Sequence, residues 1–271
     1  MTELDVEGKR CLSFTVESDW ANFRRIDTTN DKQTYRVIPR TTAAGLIAAI
    51  LGEPRDSYYD EFSRESSAMG IVPLRPLRTM QIPMLTVPTS KDGQQGQPSP
   101  LVNAAGIDGK IISPKALEDN RKRRTFEYLC NPAYRIHLVL DNERWFDRLV
   151  DRLDARTDNT DPDSHHPIIR PVYTPSLGKS ECLAEITDPV VTKVTGASPS
   201  EEVDSTLPEH ALVPSVEVSY QMERSPAYME REGRGRKTTG YASYAYTTDG
   251  SPLPVNDISA HEIDGDTVYF L

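Results

Sequence analysis

Short stretches of alternating or continuous hydrophobic residues predict several strands. Residues 11–18 alternate loosely between apolar and polar side chains, and residues 133–140 are largely apolar, so both stretches indicate strands. The apolar stretch 69–87 carries three prolines, which remove hydrogen-bond donors from a strand ladder. We therefore expect edge or interrupted strands there.

Two further stretches have the character of helices. Residues 43–51 are small and apolar, and Thr41 or Thr42 before them is a predicted N-cap. Residues 141–156 place their large apolar side chains on one helical face, with Asp141 as the predicted cap. Both helices lie between strand candidates.

The order of these elements predicts an α+β protein and not a regularly alternating α/β protein. A polar insertion covers about 88–125, which is unusually long for a loop inside a compact domain and is typical of functional segments. From about Asp188 the chain becomes rich in Thr, Ser, Val and Pro. We therefore predict a main domain over 1–187 and a smaller β-rich subdomain over 188–271.

Charge changes this picture, because the 271-residue chain has a formal net charge of −10, which would repel nucleic acid. However, 22 of its 31 basic residues are arginines, whose planar fork binds phosphate. The acidic surplus with few lysines also suits a salt-rich, halophilic host, which we take as a hypothesis.

Three widely spaced cysteines and the absence of a signal-like start predict a protein of the reducing cytoplasm. No apolar stretch is long enough for a membrane span. Spacings typical of metal ligands, nucleotide loops or nucleophile motifs are also missing, so we expect no metal and no cofactor. His137 lies among apolar residues and is expected to be a packed histidine. The segment 233–241 is either a basic turn that meets phosphate or a plain hairpin turn.

Two segments are candidates for contact with phosphate. Arg40, Thr41 and Thr42 stand at the predicted start of a helix, where N–H groups and the helix dipole favour an anion. The run 121–124 is strongly basic and is followed by Phe126 and Tyr128, a combination typical of single-strand binding. A capped helix and a solvated charged face are the simpler readings of these two segments.

Four segments together resemble a known family, the fifth family of CRISPR-associated proteins, which belongs to the RAMP superfamily of type I surveillance complexes (Cascade). The segments run between Cys11 and Ile186 and are WANFR (20–24), YRVIPRTTAAGLIAAILG (35–52), RTFEYLCNPAYRIHL (124–138) and YTPSLGKSECLAEI (173–186). The second and the fourth are the more specific. Within the family, the chain is most similar to the type I-B members, including those of haloarchaea.

The resemblance implies a ferredoxin-like, RRM-type body with the insertion as a β-hairpin thumb. It also implies a subunit that grips the 5′ handle of the CRISPR RNA (crRNA), and that lies between a Cascade backbone subunit and the large, PAM-reading subunit. Target DNA would be contacted only indirectly, through the complex. The residues expected on the RNA path are Arg24, Arg25, Arg36, Arg40, Thr41, Thr42, Arg78, Arg121, Lys122, Arg123 and Arg124.

Two other functions remain open from the sequence. One branch of the family cuts CRISPR repeat RNA without metal, which requires a general acid and base such as Tyr, Lys and His together. The insertion has no adjacent Lys–His pair. A purely structural subunit whose basic residues meet acidic proteins is the other alternative. We expect a non-catalytic RNA-binding protein.

Overall fold

The computed structural model describes residues 3–25, 31–86, 122–157, 166–216, 218–233 and 235–271, without the side chains of Lys122, Asn256 and Asp257. Most of the predicted thumb insertion, including Arg121, therefore lies outside the described residues. Its last residues, 122–125, are described and belong to a strand that pairs with the stretch 78–86 just before the insertion.

The described residues form two α-helices and sixteen strands. The helices are α1 (Arg40–Leu51) and α2 (Glu143–Leu153), with 3-10 turns at Asp60–Phe62 and Glu209–Ala211. The strands are β1 (Arg10–Glu17), β2 (Trp20–Ala21), β3 (Phe23–Arg24), β4 (Thr34–Tyr35), β5 (Ser67–Pro73), β6 (Arg78–Thr86), β7 (Lys122–Cys130), β8 (Ala133–Leu140), β9 (Arg156–Thr157), β10 (Glu185–Lys193), β11 (Ser198–Val203), β12 (Leu207–Pro208), β13 (Tyr220–Glu232), β14 (Gly235–Thr247), β15 (Leu253–Ile263) and β16 (Asp266–Val268).

The main sheet has five strands in the order β5-β8-β1-β10-β9. Its neighbours are antiparallel, except for the short parallel pair β9–β10. α1 lies in the connection between β1 and β5, and α2 lies between β8 and β10. The fold is therefore α+β, as the sequence predicts, and β8 has the predicted bounds.

Both faces of the main sheet are covered, which explains why the alternation in β1 is weak. On one face Leu12, Phe14 and Val16 pack in a core that includes α1 and α2. On the other face Cys11 packs in a second cluster with Val268 of β16. A strand between two covered faces has no solvent side. Burial of each large side chain contributes roughly 1.5–3 kcal/mol.

α1 begins earlier than predicted. Pro39 takes the N-cap position with an extended backbone and no side-chain cap, so the predicted cap at Thr41 or Thr42 is wrong and both threonines lie in the first turn. Gly52 ends the helix with a φ of 78°, a left-handed conformation that glycine adopts without strain.

α2 is amphipathic, as predicted, and buries Leu149 and Leu153. Its cap is Asn142 and not Asp141, because the Asn142 side-chain oxygen accepts a hydrogen bond from the Trp145 backbone N–H at 3.3 Å. The prediction was one residue away from the observed cap.

β6 and β7 form an antiparallel ribbon, with paired residues from Arg78–Cys130 to Thr86–Lys122. β2 pairs with the other side of β7, so β6 is an edge strand of this sheet and β5 is an edge strand of the main sheet. The prediction that the proline-containing stretch forms edge strands is confirmed.

The C-terminal strands form two three-stranded sheets, in the orders β11-β15-β16 and β12-β14-β13. They share the core of the main domain, since Tyr244 and Tyr246 of β14 pack in its larger cluster. β10 also stays in the main sheet as far as Lys193, past the predicted boundary at 187/188. Asp266 of β16 bonds to Arg135 and His137 of β8, at 3.1 Å each.

Candidate nucleic-acid interface

An open cleft of ≈ 730 Å³ lies at the start of α1. Its walls come from β3 and β4, one side of α1 from Thr41 to Ala49, the segment after α1 at Tyr58, the loop before β10, and the ribbon of β13 and β14. Among the described residues, the charged side chains that line it are Arg24, Lys179 and Arg236. All three are basic, although the chain as a whole is strongly acidic.

The first turn of α1 supplies polar groups to this cleft. Thr41 and Thr42 both line it and are half-buried. The N–H groups of Thr42 and Ala43 are bound to the Pro39 carbonyl at 2.8 and 3.0 Å, so the threonine side chains are the groups offered to the cleft. The helix dipole adds roughly half a positive charge at this end of the helix. The Thr41 hydroxyl also donates to the carbonyl of Pro226 on β13 at 3.4 Å, which joins the helix to the ribbon opposite.

A cluster of positive charge lies beside the cleft. Partial burial, followed by repulsion from Arg24 and Arg124, lowers the pKa of the Lys32 ammonium. Arg24 and Arg124 are therefore both close enough to Lys32 to repel its ammonium, and an anion near Lys32 would relieve that repulsion. Lys32 is held there by its backbone, which donates to Thr125 O and accepts from Glu127 N, both at 2.8 Å.

Sequence reasoning selected Arg24 and Arg124 but missed Lys32, because nothing in the local sequence indicates that residue 32 lies against β7. The parallel bridge between Lys32 and Phe126 connects segments that are far apart in the chain.

Lys179 is positioned by a tight loop. Gly178 has a φ of 91°, and a Cβ there would lie 2.1 Å from the backbone oxygen of Asn22, so only glycine fits. The ammonium of Lys179 donates to the Tyr128 hydroxyl at 2.8 Å and lies 3.1 Å from Glu181. Burial would lower the pKa of Lys179, but these two partners outweigh burial and raise it.

The aromatic residues near the insertion do not offer free faces for stacking. Tyr128 is buried, and the Lys179 ammonium lies 3.9 Å from the centre of the Phe126 ring. The expectation that these rings stack on bases therefore needs correction, since one ring is enclosed and the other is covered. Tyr35 and Tyr58 also line the cleft and are mostly buried.

Arg40 has a structural position instead of the expected open one. It is buried, and its guanidinium donates to the Leu271 carbonyl at 2.8 Å and to the carbonyl and hydroxyl of Ser67 at 2.9 and 2.6 Å. It also lies 5.0 Å from the centre of the Tyr228 ring. The expected phosphate contact of Arg40 is corrected accordingly: this side chain fastens α1 to the C-terminal part of the chain.

The remaining predicted arginines are dispersed. Arg25 lies over the ring of Tyr35 at 5.3 Å. Arg36 donates to Thr79 at 3.0 Å and pairs with Glu127 at 3.4 Å, so it contacts both strands of the β6–β7 ribbon.

Arg78 is exposed and lies far from Arg124 along the β6–β7 ribbon. Arg78 pairs with Cys130, whereas Arg124 pairs with Met84. Six residue steps separate those positions, about 20 Å at strand spacing. Arg123 is exposed, and only the backbone of Lys122 is described.

A chain of three polar side chains joins the main sheet to β16. Ser13, His137 and Asp266 form a chain of hydrogen bonds, with His137 Nδ1 2.8 Å from the Ser13 hydroxyl. Ser13 and His137 are completely buried, so this chain is sealed from substrate, in agreement with the packed histidine predicted. The described ranges hold no cluster of three or more potential metal ligands and no helix able to span a membrane.

The fold is similar to that of a solved CRISPR protein. A crystal structure of a CRISPR protein from Archaeoglobus fulgidus is similar over 96% of this chain and 98% of that chain, with 15% sequence identity and a TM-score of 0.52. This likeness concerns the fold alone.

Two further solved structures are less similar to this chain. A chain of a CRISPR RNA-guided surveillance complex matches 90% of each chain, with 10% identity and a TM-score of 0.44. A chain of the type III-B Cmr-beta complex bound to cognate target RNA matches 91% of this chain and 86% of that chain, with 11% identity and a TM-score of 0.40. No curated protein sequence matches this chain.

The sequence profile of the family described as CRISPR-associated protein (Cas_Cas5) matches residues 11–243. That range covers most of the 271 residues, so the chain belongs to the Cas5 family of CRISPR-associated proteins. The resemblance found in the sequence is confirmed at the level of the family.

Proposed function

We propose that this Cas5-family chain is a non-catalytic RNA-binding subunit of a type I CRISPR surveillance complex, and that its cleft grips the 5′ handle of the crRNA. One observation carries the proposal. In a chain of net charge −10, each charged side chain that lines the cleft in the described ranges is basic. Positive charge focused in a cleft attracts a phosphate backbone in spite of an acidic surface elsewhere.

The proposed fold of the body is ferredoxin-like, of the RRM type. The order β1–α1–β5–β8–α2–β10 and the antiparallel strand order β5-β8-β1-β10 support it. The β6–β7 ribbon supports a thumb, since its two paired strands lie on either side of the undescribed part of the insertion.

The proposed RNA path runs from the part of this ribbon near Arg124 into the cleft. Arg124, Lys32 and Arg24 supply the positive charge at the entrance. Thr41 and Thr42 at the start of α1 provide hydrogen-bonding groups further in. A single-stranded handle exposes its phosphates and 2′-hydroxyls, and a cleft lined with basic and hydroxyl groups can bind them directly. A single strand has no helical groove that the protein could read.

We further propose the remaining surroundings. The chain caps a Cascade backbone subunit next to the large, PAM-reading subunit, contacts target DNA only through the complex, and works in the cytoplasm. The type I-B assignment and a halophilic host are parts of the same proposal, supported by the sequence resemblance and the acidic composition.

An endoribonuclease is the second candidate, because Tyr128 and Lys179 lie together, 2.8 Å apart, near the insertion. Two facts weigh against it. Tyr128 is buried, and burial raises the pKa of its hydroxyl while hydrogen bonds raise the pKa of Lys179. Both groups therefore hold their protons, whereas a general base must be free to take one.

Crosslinking in cells tests the proposal against a purely structural bridge. Ultraviolet irradiation, gentle isolation of the chain and sequencing of its RNA adducts should recover crRNA, with the crosslinks concentrated on the 5′ handle. Protein adducts without RNA adducts would support the bridge and refute the proposal.

A triple variant sharpens this test. Arg24→Ser, Lys32→Ser and Arg124→Ser together should weaken the binding of a synthetic handle RNA. The log–log salt slope should also fall by roughly 0.7 for each phosphate that the protein no longer neutralises. The matched control removes the same charge from exposed arginines outside the cleft, at positions 144, 152 and 170. Equal effects of both triple variants would leave only a general charge effect and contradict the proposed site.

A further inference from the structure

The β13–β14 ribbon forms the wall of the cleft opposite α1, and it is firmly anchored there. The Tyr228 ring of β13 is approached by Arg40 at 5.0 Å and by Arg64 at 5.2 Å. Gly240 of β14 lies beside this ring, and a Cβ at that position would be 2.9 Å from the ring edge. Tyr228 is therefore the first anchor of the ribbon, because two arginines of the main domain lie against a ring that Gly240 of the ribbon leaves room for.

A second anchor lies further along β13. The carboxylate of Glu223 accepts from the Arg36 backbone N–H at 3.0 and 3.1 Å. Burial raises the pKa of this carboxyl, so the contact is made inside the protein and not on its surface. Two separate anchors hold the ribbon in a fixed position over the cleft.

The outer part of the ribbon separates its charges by face. The paired residues are Met229–Thr238, Glu230–Lys237, Arg231–Arg236 and Glu232–Gly235. Paired residues point to the same face and successive pairs alternate. Met229 and Arg236 line the cleft, so Arg231 is also on the cleft face, while Glu230, Glu232 and Lys237 are on the opposite face.

Arg236 lies against an acidic partner in the segment after α1, and its guanidinium also interacts with the Tyr59 hydroxyl. Its guanidinium is 3.8 Å from the Asp56 carboxylate, beyond hydrogen-bond distance, and its side chain is 49% exposed. Asp56 also accepts a hydrogen bond from the Tyr59 hydroxyl and lies 3.3 Å from Arg55. A guanidinium in this loose contact is available to a phosphate that enters the cleft, since a phosphate accepts two parallel bonds from it.

We infer that the β13–β14 ribbon is a second RNA-binding wall of the cleft, opposite α1, and that Arg236 leaves Asp56 to bind a backbone phosphate of the RNA. This inference rests on the proposed function of the cleft and extends it to the C-terminal part of the chain. The cation-bearing face of the ribbon and the start of α1 then clamp the strand from two sides.

Adjacent basic residues on opposite faces of the ribbon provide the test. A synthetic RNA with the handle sequence is titrated against the full chain and against the variants Arg236→Ser and Lys237→Ser. Both variants remove one positive charge from an exposed position on β14. Arg236→Ser should weaken binding about tenfold, as expected for one charge-assisted hydrogen bond, while Lys237→Ser should change it less than about twofold.

The variant Asp56→Asn tests the release of Arg236. Asn tolerates the positive φ of 61° at this position about as well as Asp does. Loss of the competing carboxylate should tighten RNA binding by about twofold to fivefold, a fraction of one charge-assisted bond. Weaker or unchanged binding would contradict the release.

Arg24→Ser separates the two proposals. Arg24→Ser could weaken RNA binding while Arg236→Ser has no larger effect on RNA affinity than Lys237→Ser. In that case the cleft binds RNA but the ribbon does not, and the inference is wrong. If neither Arg24→Ser nor Arg236→Ser changes binding, the proposed function itself is wrong. Loss of protein crosslinks with full RNA binding in Arg236→Ser would assign the ribbon to a protein partner and also overturn the inference.

Discussion

Replacement of Gly178 by alanine is expected to destabilise the fold and displace Lys179. Gly178 has a φ of 91°, and a Cβ there would be 2.1 Å from the Asn22 oxygen and 2.8 Å from its carbonyl carbon. Both atoms belong to the backbone, and the loop is also tied to this segment by the Asn22 N–H, which donates to Leu177 O at 3.2 Å. Neither side can move away without breaking that bond.

The structure separates two contributions to the cost. A positive φ costs an L-residue about 1–2 kcal/mol. Overpacking adds about 1–3 kcal/mol, so we expect Gly178→Ala to lose about 2–5 kcal/mol in the free energy of unfolding. Gly265 is the matched control, because its φ is 87° and nothing lies within 4 Å of a Cβ there. Gly265→Ala should lose only the conformational part.

Urea unfolding followed by tryptophan fluorescence measures both variants. Gly178→Ala should also bind handle RNA more weakly than Gly265→Ala, because Lys179 directly follows the altered residue and lines the cleft. Equal losses in unfolding free energy for the two variants would refute the reasoning, since they would mean that contact with Asn22 adds no cost.

Three further predictions concern other parts of the molecule. Burial would raise the pKa of Asp266, but His137 and Arg135 outweigh it and lower that pKa, so the stabilisation is present above the unfolded pKa of about 3.9 and lost below it. The stability gap between the wild type and Asp266→Asn should therefore close as the pH falls below about 4, and a constant gap in urea titrations would count against this. Gly45→Ala brings a Cβ to 3.1 Å from the Tyr58 hydroxyl. Its gain in stability from helix propensity, up to about 1 kcal/mol, should therefore be smaller in the wild-type background than in the Tyr58→Phe background. A double-mutant cycle measured by thermal unfolding that shows no coupling would disprove the contact. Repeat RNA incubated with the chain in EDTA should stay intact, whereas specific cleavage that is lost in Tyr128→Phe would establish the nuclease.

The sequence predicted those features that depend on local patterns. The bounds of β8, the amphipathic face of α2, the edge positions of the proline-containing strands and the glycine end of α1 all follow from residues within a few positions of each other. The caps were misjudged by one to three residues. Asn142 has an equally suitable neighbour in Asp141, whereas Pro39 precedes α1 without a side-chain cap and so gives no capping signal.

The cleft was harder to predict, because its walls come from separate segments of the chain. Lys32 joins Arg24 and Arg124 only through its pairing with β7, and Arg236 faces the cleft only because of the β13–β14 register. Arg40 misled the sequence reasoning for the opposite reason: an arginine at a helix start suggests an anion site, whereas its partners, Ser67 and Leu271, come from distant parts of the chain.

The attachment of the segment before α1 to β7 has a mechanical consequence. Lys32 is bound to β7 through two backbone hydrogen bonds, and Glu127 of β7 accepts from the Thr34 N–H at 3.1 Å and pairs with Arg36. β7 also contains residues 122–125, the end of the predicted insertion. A displacement of β7 would therefore move residues 32–36 with it, and among these Tyr35 lines the cleft.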